Sequence, residues 1–192
     1  MSVVHNVDPF IVEIDGWLSE KDLNYILSRN FKFVPGLSLG KDYEKVLDKV
    51  FRTCYNYRIE YGVDPYFDSL TRRVADFFNV DDVECVEPFV HVKYEKDHFV
   101  DDHTDIFPGF PTNRVSTMIM YLNDDFEGGS TYFPDLDLRI TPKAGNSLAF
   151  FYDKNTPLIH RGETVTSGTK YIISAFVRDG KFTAEDRKSV SY

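Results

Sequence analysis

The chain is poor in cysteine, in basic residues and in long apolar runs. It has only 2 cysteines, and neither lies in a Cys-x-x-Cys or Cys/His spacing, which excludes a disulfide framework and a cysteine-based zinc site. Cys54 and Cys85 are therefore expected to be buried or chemically inert thiols. Lys and Arg number 22 against 31 Asp and Glu, which gives a formal net charge of -9. We do not expect nucleic acid as a partner, because its binding depends on basic side chains that neutralise phosphates.

Signals for export and for membrane insertion are also missing. The N-terminal residues show no basic region followed by an apolar stretch, so they do not resemble a secretory signal. No run reaches the roughly 18 apolar residues that a membrane span needs. We therefore expect no membrane association and a cytoplasmic location.

The pattern of apolar residues predicts helices first and strands afterwards. Amphipathic spacing predicts helices over residues 20–29, 43–57 and 65–78, with Ser19 as the N-cap of the first. Short runs rich in Val, Ile, Phe, Tyr and Thr then alternate with turn residues, which is typical of a β-sandwich or barrel. Strands are predicted over residues 10–14, 84–94, 115–122, 130–133, 137–140, 147–151, 158–161 and 170–178.

This pattern predicts one domain with three parts. The 42% hydrophobic content is enough to bury a sizeable core. We expect a mainly helical support over residues 1–79, a β-rich core over 80–180 and a loosely packed polar tail over 181–192.

Two histidines and one aspartate have the spacing of a metal site. His103 and Asp105 lie two positions apart, so they point to the same side where the chain is extended. His160 comes much later and must reach the same ion from a neighbouring strand. Two imidazoles and one carboxylate form the facial triad that holds Fe(II) and leaves coordination positions open. Asp101 or Asp102 remains an alternative carboxylate ligand, although the spacing favours Asp105.

The remaining histidines are expected to lie outside that site. His5 is close to the N-terminus, and His91 lies within a predicted strand, where a buried structural role is expected. His98 lies in a polar loop and is expected to be solvated, with a place beside the substrate as the alternative.

A series of short motifs surrounds the candidate metal ligands. They are Tyr94 ahead of His103, Arg114 with Thr117, Tyr121-Leu122-Asn123, Gly128-Gly129-Ser130-Thr131, Phe133-Pro134, Pro142 with Gly145, His160-Arg161-Gly162, and Lys170. In this order and spacing they resemble the prolyl 4-hydroxylase group of Fe(II)/2-oxoglutarate dioxygenases. The likeness extends over residues 84–178, and it is far more specific than any single motif.

The resemblance implies an α+β protein whose catalytic core is mainly β. The implied core is a double-stranded β-helix, or jelly-roll, with the N-terminal helices packed on its outer face. The implied ligands of Fe(II) are His103, Asp105 and His160. Lys170 is implied to pair with the distal carboxylate of 2-oxoglutarate, assisted by the hydroxyl groups of Tyr94 and Thr131. A buried dicarboxylate needs such a cation, because an unpaired buried charge is costly.

The resemblance also implies a substrate. A proline in an extended peptide is the expected target, with O2 and 2-oxoglutarate consumed, succinate released and ascorbate as a candidate reductant. The residues expected to contact the peptide are Arg114, Phe176 and Arg178. The chain departs from the family at Val100, where a substrate-facing tyrosine is common, and at Asp97, where a glycine is common. Two alternatives stay open: the same chemistry on a free amino acid or an alkylated base, and a non-catalytic jelly-roll binding module.

Overall fold

The structure is a computed structural model of the chain that describes residues 3–8, 10–36, 38–39, 45–46, 52–106, 112–152, 158–183 and 186. The helices within these ranges are α1 (Glu20–Leu27) and α2 (Pro65–Phe77), with 3-10 turns at Val83–Cys85 and Pro134–Leu136. The strands are β1 (Val3–Asp8), β2 (Ile11–Asp15), β3 (Val34–Pro35), β4 (Ser38–Leu39), β5 (Lys45–Val46), β6 (Tyr55–Ile59), β7 (Phe89–Tyr94), β8 (Val100–His103), β9 (Arg114–Tyr121), β10 (Glu127–Gly128), β11 (Thr131–Phe133), β12 (Leu138–Ile140), β13 (Ser147–Phe151), β14 (His160–Gly162), β15 (Val165–Ser167) and β16 (Lys170–Arg178). In the described part of the chain, neither helix is long and apolar enough to cross a membrane.

Both helices begin at residues that cap them. Ser19 and Asp22 form a capping box at α1, because the Ser19 hydroxyl accepts from the Asp22 N–H and the Asp22 carboxylate accepts from the Ser19 N–H. Asp64 caps α2 by accepting from the Tyr66 N–H at 2.9 Å, and Pro65 occupies the first helical position. These local signals confirm the predicted first and third helices, with ends within two residues of the prediction at Leu27 and Phe77.

Two antiparallel sheets form the β-rich core. The larger has 8 strands in the order β1-β2-β13-β9-β16-β7-β6-β3, and the smaller has 4 in the order β12-β11-β14-β8. Alternate residues of the larger sheet face opposite ways. Ile119 and Ile172 pack in a cluster that also contains Phe133 and Ile140 of the smaller sheet, whereas Met118 and Ile173 pack with both helices. Helices, large sheet and small sheet thus form successive layers, which confirms the predicted jelly-roll with supporting helices.

One predicted helix is wrong. Apolar spacing predicts a helix over residues 43–57, but Tyr55–Ile59 forms strand β6, which pairs with β7 along its whole length. Lys45–Val46 forms the short strand β5, and residues 43–44 and 47–51 lie outside the described ranges. The first 79 residues therefore supply strands as well as helices, and the expected mainly helical support is wrong in that respect. The division of the chain at residues 79 and 180 stays a prediction.

The predicted loose packing of the tail is wrong for Phe182. Its side chain is 2% exposed, and its backbone N–H donates to the Glu84 carbonyl at 2.7 Å. The guanidinium of Arg178 lies 5.1 Å from its ring centroid. An aromatic residue in an otherwise polar segment is a signal from which this packing could have been predicted.

Candidate active site

Three predicted ligands meet between two paired strands. His103 ends β8, His160 begins β14, and the two residues lie directly opposite each other in the antiparallel pair. Asp105 follows β8 by two positions, with its Oδ1 3.7 Å from His103 Nε2 and its Oδ2 3.6 Å from His160 Nε2. Candidate ligand atoms of all three residues lie within 4.8 Å of one another. This spacing fits a single metal ion on one face of the cluster.

Backbone carbonyls orient both imidazole rings. His103 Nδ1 lies 2.7 Å from the Asp101 carbonyl oxygen, and His160 Nδ1 lies 3.1 Å from that of Leu158. A carbonyl oxygen only accepts, so each Nδ1 carries the proton and each Nε2 keeps a lone pair for a metal.

Protonation also favours metal binding. Burial lowers the pKa of His103 to about 4, and the neighbouring His160 acts in the same direction. Burial by itself raises the pKa of Asp105. The two histidines, which are protonated at low pH, outweigh this effect together with Arg114 and the Tyr152 hydroxyl, and they lower this pKa to about 2. At neutral pH, His103 is neutral and Asp105 is ionised, which are the protonation states that bind metal ions.

Two hydroxyl groups hold the Asp105 carboxylate from the main sheet. Its Oδ2 accepts from Thr117 Oγ1 and from the Tyr152 hydroxyl, both at 2.8 Å, and these two hydroxyl oxygens lie 2.6 Å apart. Both donors engage the same carboxylate oxygen, so neither of them occupies Oδ1, which lies 3.7 Å from His103 Nε2. Tyr152 could not be predicted from the sequence, because it follows β13 and is 47 residues away from Asp105 along the chain.

Lys170 is the buried cation that the resemblance implies. It begins β16 and is 2% exposed, and its Nζ donates to the Gly129 carbonyl at 2.6 Å. Gly129 has a φ of 65°, and a Cβ at this position would lie 3.2 Å from Lys170 Cδ, so glycine leaves room for the lysine stem. Among the described residues, no carboxylate lies within ion-pair distance of this ammonium group. Burial lowers the pKa of Lys170 to about 7.

Two tyrosine rings lie near this ammonium group. Tyr94 lies directly opposite Lys170 in the β7–β16 pair, and its ring centroid is 5.1 Å from Lys170 Nζ. Tyr121, with its centroid 5.8 Å from the same atom, shares a hydrogen bond of 2.9 Å with Thr131. A Cβ on Gly162, in the strand that carries the second histidine, would lie 3.7 Å from the Tyr94 hydroxyl. The side chain of Tyr94 thus extends from its ring near Lys170 to its hydroxyl group near the strand that begins with His160.

The three predicted substrate residues form a buried cluster of their own. Arg114 begins β9 and Arg178 ends β16, and both donate to the carboxylate of Glu87. The Arg114 guanidinium lies 3.6 Å from the ring centroid of Phe176. The side chains of both arginines and of Glu87 are at most 2% exposed. These contacts lie within the protein, and contact with a substrate stays a prediction for all three.

The other histidines lie apart from the cluster. His91 is buried among the rings of Phe31, at 4.7 Å, and Phe33, at 4.8 Å, as its predicted structural role requires. His98 Nδ1 accepts from the Glu95 N–H at 3.1 Å and so closes the polar loop, and His5 lies beside Asp15 at the surface.

The two alternative carboxylates are not part of the metal cluster. Asp101 and Asp102 are exposed, and Asp102 Oδ1 lies 3.3 Å from Arg161 Nε. The described geometry therefore selects Asp105, as the two-residue spacing had favoured.

Cys54 and Cys85 are free thiols, and burial raises the pKa of the Cys85 thiol.

Fold and cluster together place the chain in the class of jelly-roll proteins with a site of two histidines and one carboxylate. Residues 89–178 match the model of the 2OG-Fe(II) oxygenase superfamily. Prolyl 4-hydroxylase 1 of Arabidopsis thaliana is 31% identical over 137 residues, which cover 59% of this chain and 48% of that protein. Over these residues the chain is similar to prolyl 4-hydroxylases and to the 2OG-Fe(II) oxygenase superfamily. It spans about half the length of the curated relatives it matches.

Solved structures share the fold. The viral collagen prolyl hydroxylase of Paramecium Bursaria Chlorella virus-1, in complex with 2OG, is 23% identical with a TM-score of 0.67, over 88% of this chain and 96% of that one. A prolyl hydroxylase from Trichoplax adhaerens, in complex with a hypoxia inducible factor peptide fragment, is 16% identical with a TM-score of 0.67, over 95% of this chain and 87% of that one. At these identities the likeness establishes the fold, and the activity rests on the site.

Proposed function

We propose that the protein is an Fe(II)- and 2-oxoglutarate-dependent dioxygenase that hydroxylates proline in a peptide. The observation that carries this proposal is the pairing of the His103, Asp105 and His160 cluster with the buried ammonium group of Lys170. One part is a metal-binding face with open positions, and the other is a buried cation that calls for an anionic ligand.

The two histidines and Asp105 would hold the metal through His103 Nε2, His160 Nε2 and Asp105 Oδ1. Bound Fe(II) supplies the oxidising chemistry, which couples the decarboxylation of 2-oxoglutarate by O2 to hydroxylation of a C–H bond. The protein keeps the His103 imidazole neutral and the Asp105 carboxylate ionised. Hydrogen bonds from Thr117 and Tyr152 fix the carboxylate so that one oxygen faces the metal.

Lys170 would bind the distal carboxylate of 2-oxoglutarate. The rings of Tyr94 and Tyr121 lie near its ammonium group, and Thr131 shares a hydrogen bond with Tyr121. The hydroxyl groups of Tyr94 and Thr131 would donate to the same carboxylate. Burial raises the pKa of Tyr94, so its hydroxyl stays protonated and able to donate. A charge-assisted pair inside the jelly-roll orients the other end of the cosubstrate toward the metal cluster.

The names of the relatives support a prolyl substrate. A plant relative is named a prolyl 4-hydroxylase, a viral neighbour a collagen prolyl hydroxylase, and a Trichoplax neighbour was solved with a peptide fragment. In this proposal Arg114, Phe176 and Arg178 border the peptide, ascorbate acts as a reductant of the iron, and the protein works in the cytoplasm.

The test is to incubate the protein with Fe(II), 2-oxoglutarate, O2 and a panel of proline-rich peptides, with and without ascorbate. We expect a mass gain of one oxygen atom on proline, located by fragmentation, and one succinate for each hydroxylated residue. His103→Ala is expected to abolish both products. His5→Ala is the matched control, because His5 is exposed and lies beside Asp15 at the surface.

The outcomes separate the alternatives. Succinate without any oxidised peptide would retain the chemistry and move the substrate to a free amino acid or an alkylated base. No succinate under any condition, in protein that is folded and loaded with iron, would favour a non-catalytic binding module.

A further inference from the structure

Glu87 accepts hydrogen bonds from two buried arginines, Arg114 and Arg178. It lies between the 3-10 turn Val83–Cys85 and β7, and its side chain is 1% exposed. Its carboxylate accepts from Arg114 Nε at 2.7 Å and Nη2 at 2.8 Å, and from Arg178 Nε at 2.6 Å. Its backbone N–H donates to the Phe176 carbonyl at 2.9 Å, which fixes the residue against β16.

The two arginines need this carboxylate. They are paired residues of neighbouring strands, so two positive charges lie side by side where water does not reach. Burial raises the pKa of Glu87, but Arg114 and then Arg178 outweigh that effect and lower it below its ordinary value. The carboxylate stays ionised and screens one guanidinium from the other. Without its charge both cations are left buried and mutually repelling, which destabilises their present positions.

Each arginine also holds a residue outside the strands. Arg114 Nη1 donates to the backbone carbonyl of Asp105 at 3.3 Å. Arg178 Nη1 donates to the Thr112 carbonyl at 2.5 Å and lies 3.2 Å from Thr112 Oγ1. Asp105 follows β8 and Thr112 precedes β9, so one carboxylate orients the donors that hold the chain at both places. The side chain of Asp105 is held independently, by Thr117 and Tyr152.

We infer that Glu87 is a positioning residue for the metal site: through Arg114 it fixes the backbone of Asp105 and thereby the reach of its carboxylate. Glu87 acts through another residue and touches none of the candidate ligands. The inference rests on the proposed function, because it takes Asp105 as a metal ligand. It also gives Arg114 and Arg178 a role inside the protein, alongside their predicted contact with a peptide.

The test measures metal affinity. Co(II), which gives visible absorption bands at such sites, is titrated into wild-type protein, Glu87→Gln and Glu84→Gln under anaerobic conditions. Glu84→Gln is the matched control, because Glu84 has an exposed side chain and pairs with Lys181 at the surface. We expect Glu87→Gln to weaken cobalt binding about tenfold or more, the range found when groups that orient metal ligands are removed, and Glu84→Gln to leave it unchanged.

A thermal melt of each metal-free variant accompanies the titration. If Glu87 only stabilised the fold, Glu87→Gln would lower the melting temperature and leave the cobalt affinity of the folded protein unchanged. That result overturns the inference. Should Glu87→Gln not fold, Glu87→Asp keeps the charge on a shorter stem. Weakened cobalt binding in that folded variant supports the inference, and wild-type binding overturns it. Failure of the wild-type protein itself to bind cobalt would overturn the proposed function, and the role of Glu87 with it.

Discussion

Replacing Lys170 by methionine should have opposite effects on cosubstrate binding and on stability. Lys170 is 2% exposed, and its ammonium group contacts a carbonyl oxygen and two aromatic rings. An ammonium group buried without a carboxylate destabilises the folded, cosubstrate-free protein. The same charge is what a dicarboxylate binds. We therefore expect Lys170→Met to raise the melting temperature without 2-oxoglutarate and to weaken 2-oxoglutarate binding.

The magnitude of the stability effect follows from the pKa of Lys170. Burial lowers it from 10.5 to about 7, which corresponds to roughly 4–5 kcal/mol of destabilisation below pH 7 as an upper bound. The unfolded chain binds this proton more tightly than the folded protein. The stability of the wild-type protein therefore rises as the pH increases from about 7 to 10.5. Methionine does not titrate, so its advantage is largest at or below neutral pH and vanishes at alkaline pH.

The binding effect has the other sign. A hydrogen bond to a charged group contributes about 1.5–3 kcal/mol, so its loss should weaken 2-oxoglutarate affinity roughly 10- to 100-fold. In the wild-type protein, affinity should also fall as the pH rises above the pKa of Lys170, because the free protein then loses the charge.

Melting curves with and without 2-oxoglutarate, at neutral and alkaline pH, measure both effects. Lys93→Met is the matched control, since Lys93 is 25% exposed and pairs with Glu95 at 2.6 Å. Unchanged 2-oxoglutarate affinity in Lys170→Met would mean that the cation lies elsewhere. A lower melting temperature of that variant at neutral pH would refute the argument from burial.

Three further predictions follow from buried polar groups and surface charge. Tyr152→Phe removes a donor to Asp105 and should weaken cobalt binding by about threefold or more, measured by titration; an unchanged affinity would mean that Thr117 alone holds the carboxylate. His91→Leu should keep wild-type turnover and be more stable than the wild-type protein in acid. Burial lowers the pKa of His91 from 6.5 to about 3, so the stability of the wild-type protein falls as the pH drops through that range. Equal melting temperatures of the two proteins at acid pH would contradict this. A proline peptide flanked by Lys should be turned over faster than one flanked by Glu at low salt, because exposed acidic side chains precede His103 in the chain; equal rates would remove the idea of electrostatic steering. The residues that would steer are Glu95, Asp97, Asp101, Asp102, Asp124 and Asp125.

Local patterns predicted the elements whose neighbours in the chain determine them. Ser19 with Asp22 marks the start of α1 without help from the rest of the fold. The predicted helix over residues 43–57 failed because the β-sheet outweighs the amphipathic spacing there. Tyr55–Ile59 hydrogen bonds to β7, and that pairing forms between segments far apart in sequence. No window of residues 43–57 contains that information.

The same distinction applies to the residues of the candidate site. His103 and Asp105 were predictable because their spacing alone puts both side chains on one side of an extended chain, and His160 lies opposite His103 once β14 pairs with β8. The contacts that support them were not predictable. Tyr152 follows β13 and Glu87 precedes β7, and neither has a spacing to the ligands from which a sequence pattern could predict its role.

The departures from the family pattern show why chemistry was easier to predict than substrate. Asp97 stands where the resemblance expects a glycine, and its φ of 67° is the left-handed conformation that glycine supplies and aspartate tolerates. Its N–H donates to the Val165 carbonyl at 2.8 Å, so the turn is kept. What changes is an exposed carboxylate beside the strand that leads to His103. Val100, which stands where a substrate-facing tyrosine is common, is 4% exposed and packs in the core between the two sheets. Both departures preserve the fold and the metal cluster while altering charge and shape around them, so comparing Lys- and Glu-flanked peptides probes a difference that belongs to this chain.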